Sequence, residues 1–481
     1  MKTINFLSTK AVFTAVFMFV TMWLYATPII LEYDTSLSYD HGIIIKSNVG
    51  FSYTYVGING TTGSGNGSTM DNISLPGLNG NYEFTIQPNL GFRFIQPDDG
   101  HERGLTNVSQ WGNGSWADDL TYLFMNCINL KITATDVPNF SNVTNMSGMF
   151  WMGAVNNALT TVPSMNSWDT SNVIDMSNMF QFNVSFNEPI GNWNTSKVTN
   201  MSGMFSSCTN FNQPIGNWDT SQVTDMHWMF FAAKKFNQPV GNWNTANVTE
   251  AWAMFENAQR FNQPIGNWNM SKVTSMLSMF QDAYVFNQDI GNWNVANVTS
   301  MESMFRNAGN FNQSLENWVL NANVSLYNSA VNQGIFDNCG MSCVNYSKTL
   351  RGWAQNPATP SGRALGAQNV KYGSIGQTFR NQLIAKGWTI RGDSFDAPCD
   401  LALSVSDSEA SMANQIYPNP TTGIFYLDAS DKGQIQVLDL NGKLLKSENY
   451  QKGKNMMDIS KLPAGIYLIK TEKNSFKLIK N

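Results

Sequence analysis

The chain has 481 residues, a formal net charge of -5 and only 13% charged residues. That length exceeds what one ordinary compact core organises, so several domains or a repeat array are expected, and no basic field is present to attract a phosphate backbone, which excludes nucleic acid as a partner. Five cysteines and three histidines are too few and too scattered for a disulfide scaffold or a zinc centre.

At the start, Lys2 and Lys10 precede an apolar run from Ala11 to Leu24 that closes on the small residue Ala26. A basic flank, a short apolar stretch and a small residue predict a signal peptide over residues 1–26. No later apolar run is long enough to cross a bilayer, so no transmembrane segment is expected in the mature protein. Residues 27–117 alternate β-prone stretches such as Tyr82 to Ile86 with Gly- and Asn-rich turns, among them Gly57 to Gly67. They predict a small β-sandwich-like N-terminal domain, similar to polycystic-kidney-disease-type domains. Asp98, Asp99, His101 and Glu102 read as a solvated acidic loop rather than as a cation site.

A strict 25-residue period governs the middle of the chain, residues 118–330. Trp168, Trp193, Trp218, Trp243, Trp268, Trp293 and Trp318 recur in register, and Met-Phe pairs such as Met204-Phe205, Met229-Phe230 and Met254-Phe255 keep the same step. Repetition of this kind assigns the tryptophans to a buried structural ladder rather than to a ligand site. Asn192, Asn217, Asn242, Asn267 and Asn292, each just before a Trp, are expected to form a side-chain ladder that satisfies turn backbone. Within one unit, Met226, Met229, Phe230 and Ala233 fall at i, i+3, i+4 and i+7, which predicts a short helix capped by Thr224. A short strand is expected around Trp218. One strand and one helix per unit predict a mixed α/β repeat solenoid of leucine-rich-repeat type, whose units fold only by stacking. The run Phe211 to Trp218, continued through Val223 to Phe230, resembles the BspA-like leucine-rich-repeat surface proteins. That resemblance implies a surface protein, with adhesion among the family's roles.

Residues 331–400, with Leu350 to Trp353 and Arg380 to Ile390, are expected to cap the last repeat. The spacing of Cys339, Cys343 and Cys399 leaves their pairing open. A polar linker, 401–414, leads to a third kind of sequence at 415–481. There Tyr417, Pro418, Asn419, Pro420 and Gly423 are followed by Asn441 with Gly442, a strong hairpin signal, and by Gly465 and Tyr467. This order resembles the type A sorting domain of the type IX secretion system. The resemblance implies an all-β Ig-like domain, the type IX machinery as partner, a Bacteroidetes-type source and delivery to the outer cell surface.

No nucleophile elbow, HExxH or phosphate-binding Gly-Lys motif is present, so neither an enzyme nor a cofactor is expected. The sequence instead predicts a secreted or surface repeat protein that binds a protein or glycan ligand. The competing reading is a structural surface-layer or matrix component without a specific ligand. A binding surface should use positions that differ between copies: His227, Trp228, Lys234, Lys235, Trp252, Glu256 and Arg260 do so.

Overall fold

The computed structural model describes residues 26–38, 43–69, 73–75, 80–94, 101–153, 159, 161–397, 399, 415–417, 421–429, 431–439, 443–471 and 475–480. The expected signal peptide, the linker and Pro418, Asn419, Pro420 and Gly442 of the sorting motif lie outside them. The chain divides into two compact units, residues 1–395 and 396–481.

The first unit opens with strands β1 (Ile29–Asp34), β2 (Ile43–Ile45), β3 (Phe51–Gly57), β4 (Thr62–Gly67), β5 (Ile73–Leu75), β6 (Asn81–Pro88), β7 (Leu105–Gln110) and β8 (Lys131–Ile132). Six of them form one sheet in the order β4-β3-β6-β1-β7-β8, and β2 pairs separately with β5. The Gly-rich stretch expected to be a turn is largely strand β4. Its glycines leave room for aromatic rings, since a Cβ on Gly63 would fall 2.4 Å from the Tyr55 ring. Asp98 and Asp99 lie outside the described residues, and Glu102 is buried rather than solvated. The N-terminal part is not a free-standing sandwich. Strand β8 pairs in parallel with β7, and parallel bridges continue from Ser115 to Asn139 and from Asp119 to Asn145. A single apolar core therefore runs from Ile29 to Trp388.

The repeats depart from the expected mixed α/β solenoid, because among their described residues there is no α-helix, only the short 3-10 turn Met165–Ser167, and strands dominate the regular structure. Met226, Met229, Phe230 and Ala233 are all buried, as the helical spacing required, but the backbone reaches that pattern through turns. Trp228 (φ 56°) and Ala232 (φ 53°) are left-handed, and so are their counterparts Ser278 and Asp282 one copy further but one, and Ser303 and Asn307 beyond those. A left-handed residue every fourth position cannot sit in an α-helix. Met229, Phe231 and Ala233 donate their amides three residues back within the repeat, at 3.0–3.2 Å. The alternate amides of Met226, Trp228, Phe230 and Ala232 donate to carbonyls of Glu250, Trp252, Met254 and Glu256 in the next repeat. Half of the polar backbone in this segment thus finds partners only in a neighbouring copy, so an isolated unit would leave those amides unpaired. Thr224 does not cap a helix: its hydroxyl donates to the Thr199 carbonyl at 3.2 Å. The expected strand near Trp218 is likewise absent. The one parallel bridge per repeat lies just before the inward Met, as in Asn200 to Asp225 to Glu250.

Beyond the last 25-residue unit come β9 (Tyr327–Asn328), β10 (Gln333–Gly334), helix α1 (Cys343–Gln355), β11 (Ala364–Gly366), β12 (Lys371–Tyr372), helix α2 (Ser374–Ala385), β13 (Thr389–Arg391) and β14 (Ser394–Phe395). Ser342 caps α1 by accepting the Asn345 amide at 3.3 Å, and Tyr346, Leu350 and Trp353 bury one face of the helix. In the same segment the Arg380 guanidinium grips the Asp393 carboxylate through two bonds of 2.7 and 2.8 Å. Cys343 and Cys399 are disulfide-bonded, whereas Cys127, Cys208 and Cys339 are free.

The second unit contains β15 (Gln415–Tyr417), β16 (Ile424–Ala429), β17 (Gly433–Leu438), β18 (Leu444–Tyr450), β19 (Gly453–Asp458), β20 (Gly465–Lys470) and β21 (Ser475–Lys480). They form two sheets, β15-β16-β19 and β18-β17-β20-β21. Phe425, Leu427, Ile435, Val437, Tyr467 and Ile469 fill a core of its own.

Candidate binding surface

The repeats separate their side chains by face. Inward lie Trp168, Trp193, Trp218, Trp243, Trp268, Trp293 and Trp318, none more than 4% exposed. Trp243 stacks on Trp268 with centroids 6.3 Å apart, and its indole N–H donates to the Ile215 carbonyl at 3.2 Å. Other columns are polar and constant. Asn212 accepts the Asn237 amide at 2.9 Å, Asn237 accepts the Asn262 amide at 3.0 Å, and Asn262 accepts the Asn287 amide at 2.9 Å. The expected asparagine ladder therefore exists one turn earlier than the sequence reading put it. Asn192, Asn217, Asn242, Asn267 and Asn292 are exposed instead.

A third set of columns does not repeat. The positions one, two and five residues after the inward Met, or after Ala251 in the copy that has no Met there, read Ser177, Asn178 and Gln181 in one copy, then Ser202, Gly203 and Ser206. The next three copies carry His227, Trp228 and Phe231; Trp252, Ala253 and Glu256; Leu277, Ser278 and Gln281. Glu302, Ser303 and Arg306 complete the series. Contacts between these columns place them on one face. Trp228 approaches both Trp252 and Phe231, and Ser278 donates to the Gln281 side chain at 3.2 Å.

The centre of this face is aromatic. The His227 and Trp252 rings stack at 4.5 Å, 8° from parallel, and Trp228 meets Trp252 edge-on at 4.7 Å. Asp225 holds the imidazole through Nδ1 at 2.6 Å, which fixes the orientation of the ring pair. Trp228 is 37% exposed despite its size. Towards the C-terminal copies the face turns polar. Gln281 donates to Glu256 at 3.2 Å and to Asp282 at 3.3 Å. Burial first, and then Asp282, push the Glu256 carboxyl up to about 7, with Arg306 pulling the other way.

Of the sequence-predicted residues, His227, Trp228 and Trp252 come together, and Glu256 joins the polar part of the same face. Lys234, Lys235 and Arg260 are exposed on the following turn and are not members of the ring cluster. Sequence reasoning missed Phe231, Gln281, Asp282 and Arg306, although comparing copies column by column would have singled out Phe231 and Arg306. It also missed an outward pair in the first copies, Tyr122 with Trp151, at 6.3 Å. Among the described residues no group of His, Cys, Asp and Glu could hold a metal ion.

In the second unit, Tyr417 lies in β15. Gly423 has φ 135°, and a Cβ there would approach the Ser460 backbone to 2.8 Å, so glycine is required. Gly465 opens β20. Tyr467 is buried and its hydroxyl donates to the Pro463 carbonyl at 2.6 Å.

Residues 118–239 and 233–338 match the family described as Mycoplasma protein of unknown function, DUF285. Residues 415–481 match the secretion system C-terminal sorting domain. Neither match is to a leucine-rich-repeat family. No curated protein and no solved structure matches the chain. The C-terminal match defines the class: a secreted protein attached at the outer cell surface, with the type IX secretion machinery involved in its export. No helix among the described residues is long and apolar enough to cross a membrane.

Proposed function

We propose that the protein is a cell-surface binding protein, not an enzyme, and that it mediates adhesion by recognising a macromolecule through the non-repeating face of its stacked copies. The observation that carries this reading is the aromatic cluster of His227, Trp228 and Trp252 set among positions that vary between copies. Faces that hold the copies together repeat the same Trp, Asn and Thr, while the face bearing His227, Trp228, Trp252, Glu256 and Arg306 differs from copy to copy. Aromatic side chains with two stiff torsions, here an exposed Trp228 beside the half-buried His227 and Trp252, have the composition of energetically dominant contact residues. The BspA-like resemblance of Phe211 to Phe230 supports the same role. The test is binding of the purified full chain to arrays of glycans and extracellular-matrix proteins, compared with a Trp228→Ala/Trp252→Ala variant. Self-assembly into sheets with no ligand bound, equal in both proteins, would favour a structural matrix component instead.

A further inference from the structure

The same face ends in a cleft of about 240 Å³ lined by Arg306, Tyr327, Asn332, Asp337, Asn338, Gly366, Gln368 and Arg391. Its parts come from four successive layers. Arg306 belongs to the last 25-residue copy, Tyr327 to β9, Gly366 to β11 and Arg391 to β13. Gly366 forms part of the floor, and a Cβ there would meet the Gly334 backbone at 2.4 Å and the Tyr327 ring at 2.9 Å. The Tyr327 hydroxyl donates to Asn332, and the Arg391 guanidinium lies 5.3 Å over the Tyr327 ring. The ring thus holds one cationic fork in place before any ligand arrives.

Charge in the cleft is unbalanced. Asp337, the one carboxylate in its lining, is turned inward and accepts the Gly334 amide at 2.6 Å and the Gln368 amide at 2.8 Å. Among the described residues neither Arg306 nor Arg391 is part of an ion pair. Two guanidinium groups therefore line a small polar space beside amides, a phenol ring and the Asp337 carboxylate, whose oxygens already accept backbone amides; Arg306 also lies close enough to Glu256 to act on its carboxyl. A guanidinium pairs with a carboxylate through two parallel bonds, and amides suit neighbouring hydroxyls. We infer that this cleft is a subsite for the carboxylate-bearing ring of an acidic saccharide. The inference rests on the binding reading above and names the ligand chemistry of one end of that face.

The experiment uses the full chain and measures affinity for polygalacturonate and for a sialylated oligosaccharide, each against its methyl ester. At least one acid should bind, and its ester should bind about tenfold or more weakly, because the paired charge is gone. Arg391→Gln, at an exposed position, and Arg306→Gln should each weaken the acid by about tenfold while leaving the ester unchanged. Arg391→Lys should recover only part, since it restores charge without the planar fork. The cleft assignment falls if acid and ester bind alike, if neither acid binds, if Arg391→Gln changes nothing, or if polyglutamate binds as tightly as the saccharides. A ligand lost in Trp228→Ala/Trp252→Ala but indifferent to Arg391 and to esterification would overturn the cleft and leave the binding face standing.

Discussion

The imidazole of His227 lies flat on the indole of Trp252, centroids 4.5 Å apart, although the two residues belong to different copies of the repeat. Stacking of the copies alone brings them together: the Trp228 amide donates to the Trp252 carbonyl at 3.2 Å and sets the copies in register. An outward aromatic cluster is thereby mounted on a repetitive backbone.

The backbone at Trp228 supports a functional reason for that cluster. Its φ is 56°, and Gly203 occupies the same position one copy earlier with φ 60°. A bulky L-residue in this region costs roughly 1–2 kcal/mol relative to an unstrained conformation, partly offset by the greater chain entropy that glycine loses. Trp228→Gly relieves that strain but gives up the ring contacts with Trp252 and Phe231, so the two effects offset and stability should change by no more than about 1 kcal/mol. Denaturant titration checks this, and a marked loss of stability would make Trp228 a packing residue.

The inward column predicts the opposite sign. Trp243 is 3% exposed, so Trp243→Ala should cost about 3–5 kcal/mol through the cavity it leaves. Trp243→Phe keeps most of the ring and loses the bond to the Ile215 carbonyl, and should cost about 1 kcal/mol plus a smaller packing term. Limited proteolysis of the repeats reads both, and unchanged resistance in the alanine variant would remove the ladder assignment.

Glu256 makes stability depend on pH. Its carboxyl stands near 7 in the folded chain against an ordinary 4.5, so between those values the folded state binds a proton that the unfolded state releases. Stability should be highest below that window, fall as pH rises through it, and level off above it. Glu256→Gln should match the parent near pH 4 and melt higher at pH 8. Identical melting curves at pH 8 would show that the charged form carries no penalty.

Much of this was legible in the sequence, and the failure is informative. The period identified which residues are inside, because burial of Met226, Met229, Phe230 and Ala233 depends only on their spacing. It could not identify the backbone, because turns with left-handed residues at Trp228 and Ala232 generate the same three-and-four spacing as a helix. The residues that mark those turns are Trp, Ala, Ser, Asn and Asp, only some of which favour positive φ, so no turn signal stood out. The sorting domain was legible for another reason: the order of motifs at Tyr417 to Gly423 and at Gly465 to Tyr467 is a property of the sequence itself, whereas the Asn441-Gly442 pair lies outside the described residues. The cleft was invisible, since Arg306, Tyr327 and Arg391 are far apart in the chain and joined only by stacking.

Export should separate from folding. The residues at 415–481 have their own two sheets and core, so deleting them should leave the repeats protease-resistant while the protein no longer reaches the outer surface. Surface protease accessibility on intact cells, beside fractionation, reads the location. Equal surface exposure of the truncated chain would show that the domain is dispensable for delivery.

The most direct test of the central claim is the binding of the full chain to a combined glycan and matrix-protein array, with Trp228→Ala/Trp252→Ala measured in parallel. The account predicts at least one ligand whose affinity drops by about tenfold or more in the variant, with the repeats still folded and protease-resistant. A variant that binds every ligand as the parent does, or a parent that binds none, would contradict it.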